Sequence, residues 1–335
     1  MKAVAVHEHG GPENLAYHTD YPDPTPGPGD VILRVKACSL NYHDIFTRNG
    51  MPGIKLSLPV VPGLDVAGEI AEVGPDVTDW KVGDRVLVDP LNRVEGGLQG
   101  ETVDGGLAEY SKARAHQLVR IPDGVSYAEA ASLPVAYGTA HRMMFTNGNV
   151  KAGEKALILG ASGGVGTGAL LLAKMIGMEV LAAGSSESKL ARLTEMGADH
   201  VVDYSQQEFH KKVYELFGKP HLRTFDGGVD VVVNFTGGET WVPSLRSLKR
   251  GGRLLTCGAT AGFDPKTDLR FVWTFELKVC GSNSWAREDL EALLGYIQEG
   301  KMKPVIDREL PLEKAQEALG LIEDRKVIGK VIVTP

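Results

Sequence analysis

Residues 156–177, ALILGASGGVGTGALLLAKMIG, constrain the fold of this chain more than any other stretch. A short apolar run ends at Gly160, a glycine-rich turn follows, and a helical pattern opens near Val165. A strand, a tight turn and a helix in direct succession form the first half of a parallel βαβ unit. The rhythm then continues. EVLAAG, HVVDY, VDVVVNF, GRLLTCG and ELKVCGSN read as strands, and SKLARLTEMG, QEFHKKVYELFG and TWVPSLRSL read as the helices between them. This alternation requires a doubly wound parallel sheet with helices on both faces.

The first 120 residues have a different texture. KAVAVHEH, DVILRVKACSL, VAGEIAEVG, DRVLVDP and HQLVRIP are short alternating or apolar runs, broken by glycine and proline. YPDPTPGPGD has no helical option. Such a segment predicts a compact, mostly β domain, and its Gly-rich stretch 92–106, NRVEGGLQGETVDGG, reads as a mobile surface loop. From Ser126, which reads as an N-cap, SYAEAASLPVAYGTAHRMMF is helical. After Arg287, EDLEALLGYIQEG reads as a helix, and PVIDREL and GKVIVTP as strands that return to the first domain. The expected division is 1–122 with 287–335 for the β domain, and 123–286 for the α/β domain.

A length of 335 residues suits two cores. A net charge of −7 and the lack of any basic stripe argue against nucleic-acid or anionic-membrane partners. Cys38, Cys257 and Cys280 are three scattered cysteines that form neither a disulfide framework nor a zinc knuckle, so a reducing, cytoplasmic setting is expected. The N-terminal MKAVAVHEHGG lacks the apolar core of a signal peptide, and no apolar run is long enough to span a bilayer.

The turn Gly160-Ala161-Ser162-Gly163-Gly164-Val165-Gly166 suits a dinucleotide pyrophosphate. Glycines allow close backbone approach, and the helix start offers free N–H groups and partial positive charge. Ala161 departs from the strict G-x-G-x-x-G spacing, but the strand before and the helix after supply the context that motif needs. NAD-selective sites place Asp or Glu at the tip of the next strand. Here that tip is Gly184, Ser185 and Ser186, followed by Lys189, and Tyr204 ends the strand after it. Small hydroxyls with a lysine favour a 2′-phosphate and hence NADP(H); Glu187 weighs against this.

With VRIPDGVSYAEAASLP, GGLAEY, KACSLNYHD, PGLDVAGEIAEVG, VGDRV and GKVIV in place, the whole chain resembles the medium-chain dehydrogenase/reductases. The resemblance implies a GroES-like β domain joined to a Rossmann domain, with NAD(P) bound between them. Zinc alcohol dehydrogenases of this family carry Gly-His-Glu where this chain has Gly63-Leu64-Asp65, a Cys where it has Asn41, and a third ligand near Val135. Leucine and valine do not bind zinc, and a neutral asparagine is a poor ligand. The cysteine-rich lobe of the family's structural zinc is missing too, since residues 87–115 contain no Cys. No metal is therefore expected.

Asp65, set among Leu64, Val66 and Ala67, then reads as a buried brace held by backbone N–H groups or a cation, with direct catalysis as the alternative. Zinc-free members resemble quinone oxidoreductases and enoyl reductases, which reduce a C=C bond conjugated to a carbonyl. The resemblance makes Asn41 a residue facing substrate and nicotinamide. It makes Tyr42 and His43 candidate proton donors, against structural roles as a pyrophosphate cover and a helix cap. It also assigns cofactor contacts to Thr139, Phe235, Thr236, Gly258, Ala259, Ser282 and Arg325. A small-molecule substrate and a homodimer paired through the last Rossmann strand are expected. Two rival readings stay open: a zinc-type alcohol dehydrogenase with other ligands, and a nucleotide-binding protein without turnover.

Overall fold

The computed structural model describes residues 1–51 and 56–335. The chain divides into two compact units, Met1–Ala136 with Arg287–Pro335, and Tyr137–Ala286. The first boundary thus lies beyond the expected residue 122, because the helix following it packs on the sheet of the first unit.

The first unit starts with β1 (Ala3–Val6) and β2 (Leu15–His18), an antiparallel pair. β3 (Asp30–Ser39), α1 (Tyr42–Asn49), β4 (Asp65–Val73), β5 (Arg85–Val88), β6 (Tyr110–Arg114), β7 (Leu118–Arg120) and α2 (Tyr127–Ala131) follow. Ser126 caps α2 by accepting the Glu129 N–H, and Glu129 returns the bond to the Ser126 backbone. The expected single helix over 126–145 is irregular. Two π-helical stretches, Leu133–Gly138 and Arg142–Asn147, flank the short α3 (Thr139–His141).

The second unit holds β8 (Lys155–Ile158), α4 (Gly164–Met175), β9 (Glu179–Gly184), α5 (Glu187–Glu195), β10 (His200–Asp203), α6 (Phe209–Phe217), β11 (Val229–Val233), α7 (Trp241–Ser247), β12 (Leu248–Thr256), α8 (Leu269–Thr274) and β13 (Lys278–Gly281). Its six strands pair in parallel in the order β10-β9-β8-β11-β12-β13. That is the Rossmann order, in which the chain reverses direction across the sheet after the third strand. Ala156, Leu157 and Ile158 are fully buried, which explains why β8 reads as a continuous apolar run rather than an alternating one.

The chain then returns to the first unit through α9 (Arg287–Gln298), β14 (Ile306–Pro311), α10 (Ala315–Glu323) and β15 (Lys330–Thr334). β15 pairs antiparallel with β3, placing Ile332 opposite Ser39, and the seven-stranded sheet runs β14-β15-β3-β4-β5-β7, with β6 also on β3. No helix among the described residues is long and apolar enough to cross a membrane.

Gly166 sets the distance between α4 and β8. A Cβ there would lie 2.2 Å from the Gly160 carbonyl oxygen, whereas nothing surrounds a Cβ added at Gly295 in α9. Gly166→Ala is expected to cost about 1–3 kcal/mol through overpacking. Gly295→Ala should be neutral or stabilising by up to about 1 kcal/mol. Thermal melts of the two variants check this contrast.

Candidate active site

The first cluster lies at the start of α1 in the first unit. Asn41 is the N-cap of α1; its backbone N–H donates to Asp44 Oδ2 at 2.7 Å, and Asp44 Oδ1 accepts the Gly63 N–H at 2.9 Å. Asp44 thereby ties the helix start to the segment leading into β4. Asp65, the first residue of β4, is fully buried. Its Oδ1 accepts the Val135 N–H at 3.1 Å, and its Oδ2 accepts Asn41 Nδ2 at 2.8 Å and lies 3.4 Å from Lys330 Nζ. Lys330, at the start of β15, is 2% exposed and also donates to the Leu40 carbonyl and to Asn41 Oδ1.

Asn41 therefore bridges a buried anion and a buried cation. Its amide hydrogens reach Asp65 and the Ser39 carbonyl, and its oxygen accepts from Lys330. This corrects the expectation that Asn41 faces substrate: its amide is turned inward because two charges need it there. The expected brace at Asp65 is what the hydrogen bonds describe, with Lys330 as the cation.

Burial drives the charge balance of the cluster. It raises the Asp65 pKa, against the attraction of Lys330, and lowers the Lys330 pKa, against Asp65 and Asp44. Burial also lifts Asp44 to about 6, against the N–H bond from Asn41 and with help from the Asp65 charge. The Cys38 thiol is pushed well above its ordinary range by the same desolvation, and Cys257 to about 12, so neither is an activated nucleophile.

Tyr42 and His43 open α1. Tyr42 is 40% exposed and packs edge-on against Phe46. His43 Nε2 meets Glu101 Oε2 at hydrogen-bond distance, and Glu101 is itself buried. Glu101 belongs to the 92–106 stretch expected to be a mobile loop. That stretch is instead bonded into the unit. Gln99, 1% exposed, donates to the Asp104 carbonyl, Ser111 Oγ and the Lys112 carbonyl, and Asp104 Oδ1 accepts the Val61 N–H.

The second cluster belongs to the second unit. Gly160 has φ +61 and accepts the Gly163 N–H. Gly163 caps α4 without a side chain, so a ligand can approach the α4 amides at Gly164, Val165 and Gly166 unobstructed. Ala161 donates its N–H to the Ala183 carbonyl, and Ser162 follows in the same turn. The Phe235 ring lies against Gly160: a Cβ there would be 3.1 Å from it. Asn234 Oδ1 holds the Thr236 and Gly237 N–H groups, and the N–H of Ala261 donates to the Thr236 carbonyl. Gly258 and Ala259 continue from β12 onto this same loop.

At the β9 tip, the Tyr204 N–H donates to the Gly184 carbonyl, and Lys189 Cβ would be 3.7 Å from a Cβ on Gly184. Ser185, Lys189 and Tyr204 thus gather around one strand end, while Ser186 is committed to capping α5 through the Lys189 N–H. Ser282 bonds Asn147 Nδ2 and lies beside the end of β12, and Thr139 is buried in α3. Arg325 belongs to the first unit, beyond α10, at φ +57. The turn, its buried glycine contact and the open amides fit a dinucleotide. The donor set does not fit zinc. Among the described residues no three His, Cys, Asp or Glu side chains group as metal ligands, and Asn41, Leu64 and Val135 offer an engaged amide and two hydrocarbons.

A Rossmann unit with a dinucleotide turn, joined to a GroES-like β unit, defines the two-domain NAD(P)-linked oxidoreductases. Residues 27–123 match the alcohol dehydrogenase GroES-like domain family, and residues 196–333 match the zinc-binding dehydrogenase family. The chain is 32% identical to a quinone oxidoreductase of Mus musculus, covering 99% of this chain and 97% of that protein. It is also 32% identical to an acryloyl-coenzyme A reductase of Sulfurisphaera tokodaii, with both chains covered in full. The crystal structure of an NAD-dependent alcohol dehydrogenase, 34% identical, superposes with a TM-score of 0.92 over the whole of both chains. The chain belongs to the medium-chain dehydrogenase/reductase superfamily and is an oxidoreductase.

Lys330, Glu101 and Asp44 are the residues that sequence reasoning missed. A lone lysine opening the apolar run KVIV was the signal for Lys330, since a strand buried on both faces tolerates a charge only against a partner. Removing one member of the buried pair should be severe. Asp65→Leu or Lys330→Met alone is expected to cost about 3–5 kcal/mol by leaving an uncompensated charge, and the double variant markedly less than the sum. Asp65→Asn, which keeps one acceptor, should fold best of the single variants; denaturant melts of the four proteins rank them.

Proposed function

We propose that this chain reduces the C=C bond of α,β-unsaturated carbonyl compounds or quinones, with NADPH and without zinc. The observation that carries the reading is the Asp65–Asn41–Lys330 network, which replaces a metal-binding set with an amide locked between two charges. Oxidising an alcohol needs a Lewis acid or comparable aid to hold an alkoxide. Reducing a conjugated C=C bond asks less, because the developing enolate oxygen is satisfied by hydrogen bonds.

NADPH, cradled by the Gly160–Gly166 turn with Phe235, Thr236, Gly258, Ala259, Ser282 and Thr139, supplies the hydride when bound. The chain's own residues do the rest. The network fixes the start of α1, and so the position of Tyr42 and His43. His43, ordered on its Nε2 side and partly exposed, delivers the proton that completes the reduction. Tyr42, more exposed and packed edge-on against Phe46, covers the bound ligand. Ser185, Lys189 and Tyr204 at an acid-free strand tip suit a 2′-phosphate, and this supports NADPH even though the superposed alcohol dehydrogenase is NAD-dependent.

The edge of the parallel sheet supports a homodimer. β13 is an edge strand with Val279 47% exposed, and Leu269 and Trp273 of α8 are exposed on the same unit. An open apolar edge calls for a partner strand, and a second copy of β13 supplies one.

The reaction is tested by following NADPH oxidation with enones, quinones and enoyl thioesters, alongside elemental analysis. Turnover on this panel without stoichiometric zinc is expected, and Lys189→Ala should raise KM for NADPH more than for NADH. One tightly bound zinc per chain, or alcohol oxidation in place of enone reduction, would sink the reading. For the assembly, light scattering should give twice the chain mass for the wild type, and Val279→Lys should shift it towards the monomer.

A further inference from the structure

We propose that Glu101 is a positioning residue that fixes the tautomer of His43 and makes Nδ1 the proton-delivering atom. This rests on the reading of His43 as proton donor. The contact joins His43 Nε2 to Glu101 Oε2. An ionised carboxylate only accepts, so the ring must carry its proton on Nε2, and in the neutral ring Nδ1 is left bare. Nδ1 has no hydrogen-bond partner among the described residues. The side chains are graded in exposure, 28% for His43 and 10% for Glu101, so the ring reaches water while its anchor is shielded.

The backbone holds Glu101 in place through close packing rather than through its own side chain. Gly100 has φ +70, and a Cβ there would lie 2.8 Å from the backbone of Gly63. A Cβ on Gly105 would lie 2.3 Å from the Gly63 carbonyl oxygen. Gly63 is the residue whose N–H Asp44 accepts, so the Glu101 segment and the α1 start press on one point from two sides. The Glu101 N–H donates to the Leu98 carbonyl, and Gly100 N–H to that of Val103. A carboxylate fixed this way orients the imidazole and stabilises the imidazolium, as a third group does for any base that works through its other nitrogen.

The proton balance is simple. The imidazolium gives its Nδ1 proton to the α-carbon of the enolate left after hydride addition. The N–H bond breaks, the C–H bond forms, and the enolate electron pair makes it. His43 is left neutral with Nε2–H still on Glu101, and water returns a proton to Nδ1. Glu101 stays ionised throughout.

The test uses the full chain with ¹⁵N-labelled histidine, His43 being assigned by its loss in His43→Asn. Long-range ¹⁵N–¹H spectra should show the wild-type ring protonated on Nε2, and Glu101→Leu should lose that bias. With enone and NADPH, Glu101→Leu should lower kcat by roughly 10²-fold, the size acid–base catalysis supplies, with KM for NADPH within about twofold. Adding His43→Asn should cause little further loss, because residues acting as a unit are not additive. If Glu101→Leu does not fold, Glu101→Gln keeps the shape and should lower kcat in the same direction, since an amide does not stabilise the imidazolium. A wild-type ring protonated on Nδ1, unchanged kcat, or fully additive losses would overturn the proposal. If the wild type turns over no enone or quinone, the proposed reaction fails. The tautomer spectra then still decide whether Glu101 controls the ring.

Discussion

A carboxylate and an ammonium share the buried interior of the first unit, joined by one amide. Neither charge is tolerated there alone, since an isolated buried ion costs far more than a folded domain has in reserve. Asp65, Asn41 and Lys330 belong to β4, the α1 cap and β15, and the network is satisfied only when all three arrive together. It therefore couples the C-terminal strand to the helix that presents Tyr42 and His43. An arrangement of this kind contributes specificity of geometry more than net stability.

The second unit meets its constraint differently. Its turn carries no charged ligand-holding side chain and relies on absent ones. Gly166 lets α4 sit on β8, and Gly163 leaves the first helix amides uncovered. Asn234 then stiffens the loop after β11 by holding two backbone N–H groups, while its own amide is bonded to Thr240 and Ser244. The turn of the second unit is thus shaped by backbone geometry and packing, whereas the cluster of the first unit is built from side chains.

Glycine composition misled at 92–106. The stretch is polar and glycine-rich, which resembles a mobile loop, but its glycines serve close approach. Gly100 and Gly105 bring it against Gly63, and Gln99 fills its interior with hydrogen bonds. The same composition thus delivers a fixed carboxylate beside His43.

Local signals in the sequence determined the parallel α/β unit, the dinucleotide turn and the Ser126 cap, because each depends on residues near one another in the chain. Asp65 could be read as needing a partner, since its neighbours are apolar. Which partner it has could not be read. Lys330 lies 265 positions away and meets Asp65 only through the pairing of β15 with β3 and of β3 with β4. Glu101 meets His43 by a similar route, through the packing of glycines on Gly63. Sequence periodicity says which face of a strand is buried; strand register and backbone approach decide which side chains meet there, and those are properties of the tertiary structure.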